Sequence, residues 1–390
     1  MEAREIFFAL LRIVICNDKA DESLQAACTP ENLEKVYALA KKHDMAHLVG
    51  QAISMLDVPK SEAQAKCKKA AVTAYGRYLR LEHDFQQVCQ ALEEAQIPFI
   101  PLKGSVMRNY YPEPWMRTSC DVDILIKKAQ MNIAGKVLTE TLGYHQDGNT
   151  GHDVSFYSPH GTHIELHFDL VEDGRVNGAS RILGQVWENV SLRDGYSFWH
   201  EMSDEFFYFY HIAHMAKHFE SGGCGIRPVV DLWLLDNVVE ENHLRRDELL
   251  QVGSLLQFAT TVRKLSQVWL CGETADPVSV KLQNFLIHGG VYGSITNRVA
   301  LQTNEKKSRL RYLWSRVFAP YEKLAAYYPI LKKHHWLMPI MQVRRWLMLL
   351  RPDVLKMAKD ELAISRDMEA GTKDGQSALL ELLGIAPSSW

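Results

Sequence analysis

The chain has 390 residues, 47% of them hydrophobic, with 23 glycines and 14 prolines; this argues against a disordered or fibrous polymer and leaves room for two or three packed units. The formal net charge of −3 hides a segregation: eleven Lys and Arg against two Glu between Glu305 and Arg351 give that segment +9 and the rest −12, so an anionic partner would meet one region only. Seven cysteines, an odd number without a C-x-x-C pair, argue against a disulfide framework or a thiolate zinc site and point to a reducing cytoplasm.

The N-terminal run MEAREIFFALLRIVI starts acidic, lacks a small-residue cleavage site and reads as an amphipathic helix rather than a signal peptide. Thr29-Pro30 supplies an N-cap and a first-turn proline, after which Leu33, Val36, Tyr37 and Ala40 mark one helical face. Tyr78, Leu81, Phe85, Val88 and Leu92 mark a longer helix ending near Gln96.

The texture changes at Ile97. A short apolar run to Leu102 is stopped by Lys103-Gly104-Ser105, and its prolines at 98 and 101 suit an edge strand. After a turn-rich stretch comes a strand from Asp121 to Ile126, a helix around Met131 to Thr141, and two strands, Val154 to Tyr157 and Thr162 to Leu170, joined by Ser158-Pro159-His160-Gly161. From Ser203 onward the pattern is helical again: one helix to about Glu220, a glycine cluster at 222–225, another helix from Pro228 through Leu235, and a polar loop from Met368 to Gln376. Trp336 to Leu350 is the most apolar later stretch, but Pro339, Arg344 and Arg345 interrupt it, and no transmembrane segment is expected.

The chemistry sits in the middle block. Strand alternation puts Asp121 and Asp123 on one side of their strand while Val122 and Ile124 face the core. In the later strand Ile164, Leu166 and Phe168 share one face, and His163, Glu165, His167 and Asp169 share the other. If the two strands are neighbours, three carboxylates converge, and hard oxygen ligands favour Mg²⁺ bound with substrate phosphates, with two ions expected. Gly104 and Ser105 open a helix whose N–H groups would take the triphosphate. The third carboxylate is either Glu165 or Asp169.

The segment Ile97 to Gly104, the stretch from Tyr111 through Arg117 to Asp121-Val122-Asp123, Leu142-Gly143-Tyr144, Ile164-Glu165-Leu166-His167, and later His214, Lys217-His218, Arg227 and Asp231 carry a resemblance. From about Leu33 to Leu235 the chain resembles a bacterial uncharacterised nucleotidyltransferase family within the DNA polymerase β-like superfamily. The resemblance implies Asp121 and Asp123 as metal ligands and catalytic residues, with Glu165 as the third carboxylate. Fifteen residues separate Ser105 from Asp121, longer than the usual superfamily spacing, which suggests an inserted loop bringing Arg117 near the triphosphate.

His211, His214, Lys217 and His218 share one helical face. They are packed against the core, or Lys217 joins Arg227 on the triphosphate with a histidine on nucleotide or acceptor. Asp231 pairs with Arg227 at i, i+4 or acts as general base, and Lys103 meets phosphate or a carboxylate. The aromatics interleaved with the basic 305–351 segment would suit an anionic partner, or else are buried beneath a solvated basic face.

The expectation is therefore an α+β protein: a helical N-terminal region (1–96), a small mixed-sheet nucleotidyltransferase core (97–200) and a helical C-terminal region (201–390). It would move an NMP from an NTP to an unknown hydroxyl acceptor, using Mg²⁺; the binding residues would be Lys103, Gly104, Ser105, Arg117, His167, Lys217 and Arg227. The alternatives are a catalytically silent nucleotide sensor and a metal-dependent phosphohydrolase.

Overall fold

The computed structural model describes residues 1–149, 153–170, 178–220, 222–239, 243–291, 293, 318–321, 324–325, 328, 330–349 and 378–385. Seven of the eleven cations of the basic 305–351 segment, Lys306, Lys307, Arg309, Arg311, Arg316, Lys323 and Arg351, lie outside the described residues, as does the expected loop from Met368 to Gln376.

Five helices come first: α1 (Ala3–Ile15), α2 (Glu22–Ala27), α3 (Pro30–Lys42), α4 (Ala46–Ser54) and α5 (Glu62–Glu94). Thr29 caps α3 by accepting from the Asn32 N–H, and Ser61 caps α5 by accepting from Gln64. Where the sequence suggested an amphipathic helix, α1 is buried on nearly every side, from Ile6 through Leu11 and again at Ile13 to Ile15. A helix apolar all round belongs inside a bundle, and here α3 and α4 cover one flank while a C-terminal helix covers another.

The sheet is built from β1 (Phe99–Pro101), β2 (Asp121–Ile126), β3 (His145–Asn149), β4 (Asp153–Tyr157) and β5 (His163–His167) in the spatial order β1-β2-β5-β4-β3. Only β2 and β5 run parallel. β1 includes Pro101 but not Pro98, and its edge position tolerates the missing donor; on that edge the Phe99 N–H bonds to the Phe198 carbonyl. The β4–β5 turn is held by Ser158, whose hydroxyl accepts from the His160 and Thr162 N–H groups and donates to Asp84 on α5. β5 stops at His167, short of the expected Leu170, so Asp169 is exposed beyond the strand and does not inherit its alternation.

One face of the sheet packs on the C-terminal half of α5: Leu81, Phe85, Val88 and Leu92 meet Val122, Ile124, Ile126, Ile164 and Leu166. Tyr78 is not part of that core and instead lies under the Arg108 guanidinium, 5.6 Å away. Between the strands run α6 (Lys103–Met107), α7 (Met131–Lys136) and, after β5, α8 (Ala179–Leu183) with the small hairpin of β6 (Val190–Leu192) and β7 (His200–Met202).

The later helices are α9 (Asp204–Glu220), α10 (Arg227–Val238), α11 (His243–Val252), α12 (Leu256–Leu270) and α13 (Pro277–Gly289). They share a single core with α1, α3 and α4, and the Phe8 and Trp269 rings stack at 4.5 Å across that junction. Among the described residues, no helix is long and apolar enough to cross a membrane.

Candidate metal and nucleotide site

The parallel pairing of β2 and β5 sets the floor of the site. Asp121 lies opposite His163, Asp123 opposite Glu165, and Leu125 opposite His167. Because alternate side chains leave a strand on opposite faces, Val122, Ile124, Ile164 and Leu166 enter the α5 core while the two aspartates, Glu165 and both histidines emerge on the other side. Two groups of donor atoms result, each within 4.8 Å: Asp121, His163 and Glu165, and Asp123, Glu165 and His167. Glu165 belongs to both. This donor set, carboxylate oxygens with imidazole nitrogens on a rigid sheet, fits a divalent metal ion.

Asp123 is 2% exposed and its Oδ1 accepts from Lys103 Nζ at 2.7 Å and from His167 Nε2 at 2.7 Å. Burial opposes its ionisation, but Lys103 and His167 outweigh that and hold the carboxyl well below the usual range. Lys103 is pushed the other way: burial disfavours its charge, and Asp123 more than restores it. His167 is likewise raised, against its own burial, by the bond to Asp123 and by Glu165, whose Oε2 is 3.3 Å from Nε2. Asp121 has no such ammonium on it, and burial followed by the charge of Asp123 lifts its pKa.

Above the floor is a cavity of about 430 Å³. Asp121, Asp123, Glu165, His167 and Asp169 line one side; Lys103, Gly104 and Arg117 line a second; Tyr210, His211, His214, Lys217, His218 and Arg227 from α9 and α10 line the third. Lys217 and Arg227 thus line the same cavity as the carboxylates. Ser105 does not join them: it is buried and does not line the cavity, its N–H bonds to the Leu102 carbonyl, and its hydroxyl has no partner among the described residues. Gly104 has a steric role instead, since a Cβ there would come within 3.0 Å of Ser119 Cβ.

The expected Asp231–Arg227 pair is not formed. Asp231, fully buried, accepts from Arg117 Nε at 2.7 Å and Nη2 at 2.8 Å and from the Tyr111 hydroxyl at 2.7 Å. Arg117 therefore reaches the cavity wall as one half of an ion pair that clamps the inserted loop to α10, rather than as a cation reserved for phosphate. Arg227 turns to Thr118, donating to its carbonyl at 2.8 Å and its hydroxyl at 3.0 Å, with Asp44 Oδ2 at 3.3 Å. Its Nε is buried and has no partner among the described residues.

Among the described residues, neither metal-competent group includes the α9 histidines. His211 donates to the Pro228 carbonyl at 2.9 Å, and burial, then His218 and the nearby lysines, drives His214 well below the ordinary histidine pKa. Sequence reasoning missed Tyr210. It sits in the run Phe206 to Tyr210, where every residue is buried and the pattern carries no polar signal, yet it lines the cavity and its hydroxyl feels the charges of Lys103, Asp123, Glu165 and Asp121.

A family model described as uncharacterised nucleotidyltransferase matches residues 29–266, more than half of the chain. No curated protein and no solved structure matches.

Proposed function

The chain belongs to this nucleotidyltransferase family, and from that premise we propose that it moves a nucleoside monophosphate from an NTP to a hydroxyl acceptor in a divalent-metal-dependent reaction. One observation carries the reading: Asp123 and Glu165 face each other across the parallel β2–β5 pair, beside Asp121, on the floor of a cavity whose far wall holds Lys217 and Arg227. That is an acidic floor beneath a basic wall, and an NTP bound with metal ions needs both. Placement in the DNA polymerase β-like superfamily is part of the same proposal.

Asp121, Asp123 and Glu165 would hold the metal, two ions where both donor groups are filled, and the carboxylates taken alone suit Mg²⁺. Bound there, a divalent ion supplies charge neutralisation and polarisation at the phosphates. Lys217 and Arg227 would hold the phosphate tail, and Lys103 is close enough to leave Asp123 for it. Arg117 would act at one remove, holding α10 and hence Arg227 in place through Asp231. In the transfer itself, the acceptor oxygen bonds to the α-phosphorus as the bond from that phosphorus to the bridging oxygen breaks. Pyrophosphate leaves with the electron pair, and the hydroxyl proton passes to a floor carboxylate or to solvent.

The Lys103–Asp123 contact of 2.7 Å favours a second reading, a nucleotide sensor without turnover, because the most buried ligand already has a cation of its own. Incubating the purified chain with each labelled NTP, a divalent metal and a panel of hydroxyl acceptors separates the readings. Labelled acceptor with pyrophosphate release supports transfer, inorganic phosphate indicates hydrolysis, and binding without either product identifies a sensor.

A further inference from the structure

Three residues in a row of alternating positions, His163, Glu165 and His167, leave β5 on the side of the carboxylates. Oxygen-only cages suit Mg²⁺, which dehydrates reluctantly and seldom accepts nitrogen; imidazole suits first-row transition ions, and affinity for them rises from Mn²⁺ towards Cu²⁺. We propose that the inner metal position, formed by Asp123, Glu165 and His167, is a mixed nitrogen–oxygen centre that takes a divalent first-row transition ion in preference to Mg²⁺. The proposal rests on the reading above in assuming that these carboxylates hold a divalent ion, and it adds the identity of the ion.

The geometry assigns the role to His167 in particular. Its Nε2 is 2.7 Å from Asp123 Oδ1 and 3.3 Å from Glu165 Oε2, so the nitrogen is aimed between the two carboxylates. The imidazole is only 7% exposed and cannot simply be a solvent-facing neighbour of the site. The other histidine is arranged differently. His163 Nε2 is 3.8 Å from Glu165 Oε1, the ring stacks on Tyr157 at 4.8 Å, and the residue does not line the cavity. Glu165 thus presents one oxygen to each imidazole, and only the His167 side opens on the cavity where a nucleotide would lie.

A second feature suits an occupant at the same place. Tyr210 has 5% relative exposure and lines the cavity together with the carboxylates. A phenol on that wall can donate to water on a bound ion or to a phosphate oxygen. The Lys103 ammonium shares Oδ1 of Asp123 with His167, so occupancy of the inner position requires Lys103 to withdraw and His167 Nε2 to release to solvent the proton it donates there; the lysine is 27% exposed and has room to move.

The test uses the full chain without nucleotide. Mn²⁺ and Mg²⁺ dissociation constants are measured by calorimetry, and the Mn²⁺-loaded protein is examined by pulsed EPR for nitrogen coupling. The expected result is Mn²⁺ bound tighter than Mg²⁺ by roughly tenfold or more, with a nitrogen signal in the wild type. His167→Asn should erase that signal and weaken Mn²⁺ by about 10–100-fold while changing Mg²⁺ much less. Equal affinities for the two ions, or Mn²⁺ bound without nitrogen coupling, would overturn the proposal. So would coupling that survives His167→Asn and disappears in His163→Asn, which would move the nitrogen ligand to the outer position. Should His167→Asn not fold, the wild-type signal and affinity ratio decide alone. Failure of nucleotidyl transfer is read separately: a nitrogen-ligated ion with no pyrophosphate release rejects the activity and leaves the metal centre standing, and transfer supported by an oxygen-only site does the reverse.

Discussion

A single oxygen, Oδ1 of Asp123, receives both Lys103 and His167, so the two aspartates of β2 should respond differently to neutralisation. Asp121→Asn removes a carboxylate whose charge is resisted by burial and by Asp123, and it is expected to lower transfer by about a hundredfold or more without lowering the thermal midpoint. Asp123→Asn should lower transfer as much and also destabilise the fold by about 1–3 kcal/mol, because it leaves the Lys103 ammonium and the His167 N–H facing a weak acceptor. Turnover and midpoint measured on the same preparations check both. On the opposite wall, Lys217→Ala is expected to weaken NTP binding, and Arg227→Ala should lose affinity and stability together because Arg227 ties Thr118 and Asp44. The wild type should show the steeper salt dependence of NTP affinity; unchanged affinity in both variants would remove the phosphate role. The floor residues were legible because β-alternation is local, and Val122 and Ile164 announce which way their neighbours point. The partner of Asp231 was not, since Arg117 lies 114 positions away and the helical i, i+4 rule offered Arg227 instead.

At the scale of elements, the end of α3 carries a pH-sensitive joint. His43 Nε2 donates to the Ile287 carbonyl on α13 at 3.2 Å, and its Nδ1 accepts from the Ile226 N–H before α10 at 3.4 Å. Accepting at Nδ1 requires the neutral ring, and burial above all lowers its pKa from 6.5 to about 4. A base with a depressed folded pKa contributes stability that is complete above its unfolded value and is lost as pH falls through the folded one. Roughly 3 kcal/mol should therefore drain away between pH 6.5 and 4. His43→Gln is expected to flatten that part of the stability profile, as read by urea unfolding at several pH values; an unchanged slope would assign it to other groups. Element type was readable wherever a cap or a strong period marked it, as at Thr29 and along Leu81 to Leu92. β3 escaped notice because His145-Gln146-Asp147-Gly148-Asn149 is an outer edge strand with no apolar face, and its bulge between Gln146 and Gly148 breaks the alternation.

For the whole molecule, the decisive contact is between the chain's two helical ends. The sequence shows two helical stretches flanking a sheet but gives no sign that α1 enters the same core as α12; that depends on packing between residues more than 250 positions apart, such as Phe8 and Trp269. Trp269 is fully enclosed and donates to Gln283 at 2.8 Å, so Trp269→Ala should cost about 3–5 kcal/mol and shift the signals of both helical ends together in thermal unfolding. Separate transitions would mean that the two ends are independently stable. The parallel neighbours β2 and β5 carry a further consequence for the way the chain is made. During synthesis Asp121 and Asp123 leave the ribosome well before Glu165, and β2 then has only the short β1 beside it, with its other backbone edge open until β5 arrives. Loop closure over that interval has to precede any pairing, so the acidic floor is assembled late, and a nascent chain that has emerged from the ribosome past β2 but not as far as β5 exposes an unpaired apolar strand. That stage is where chaperone protection would matter most.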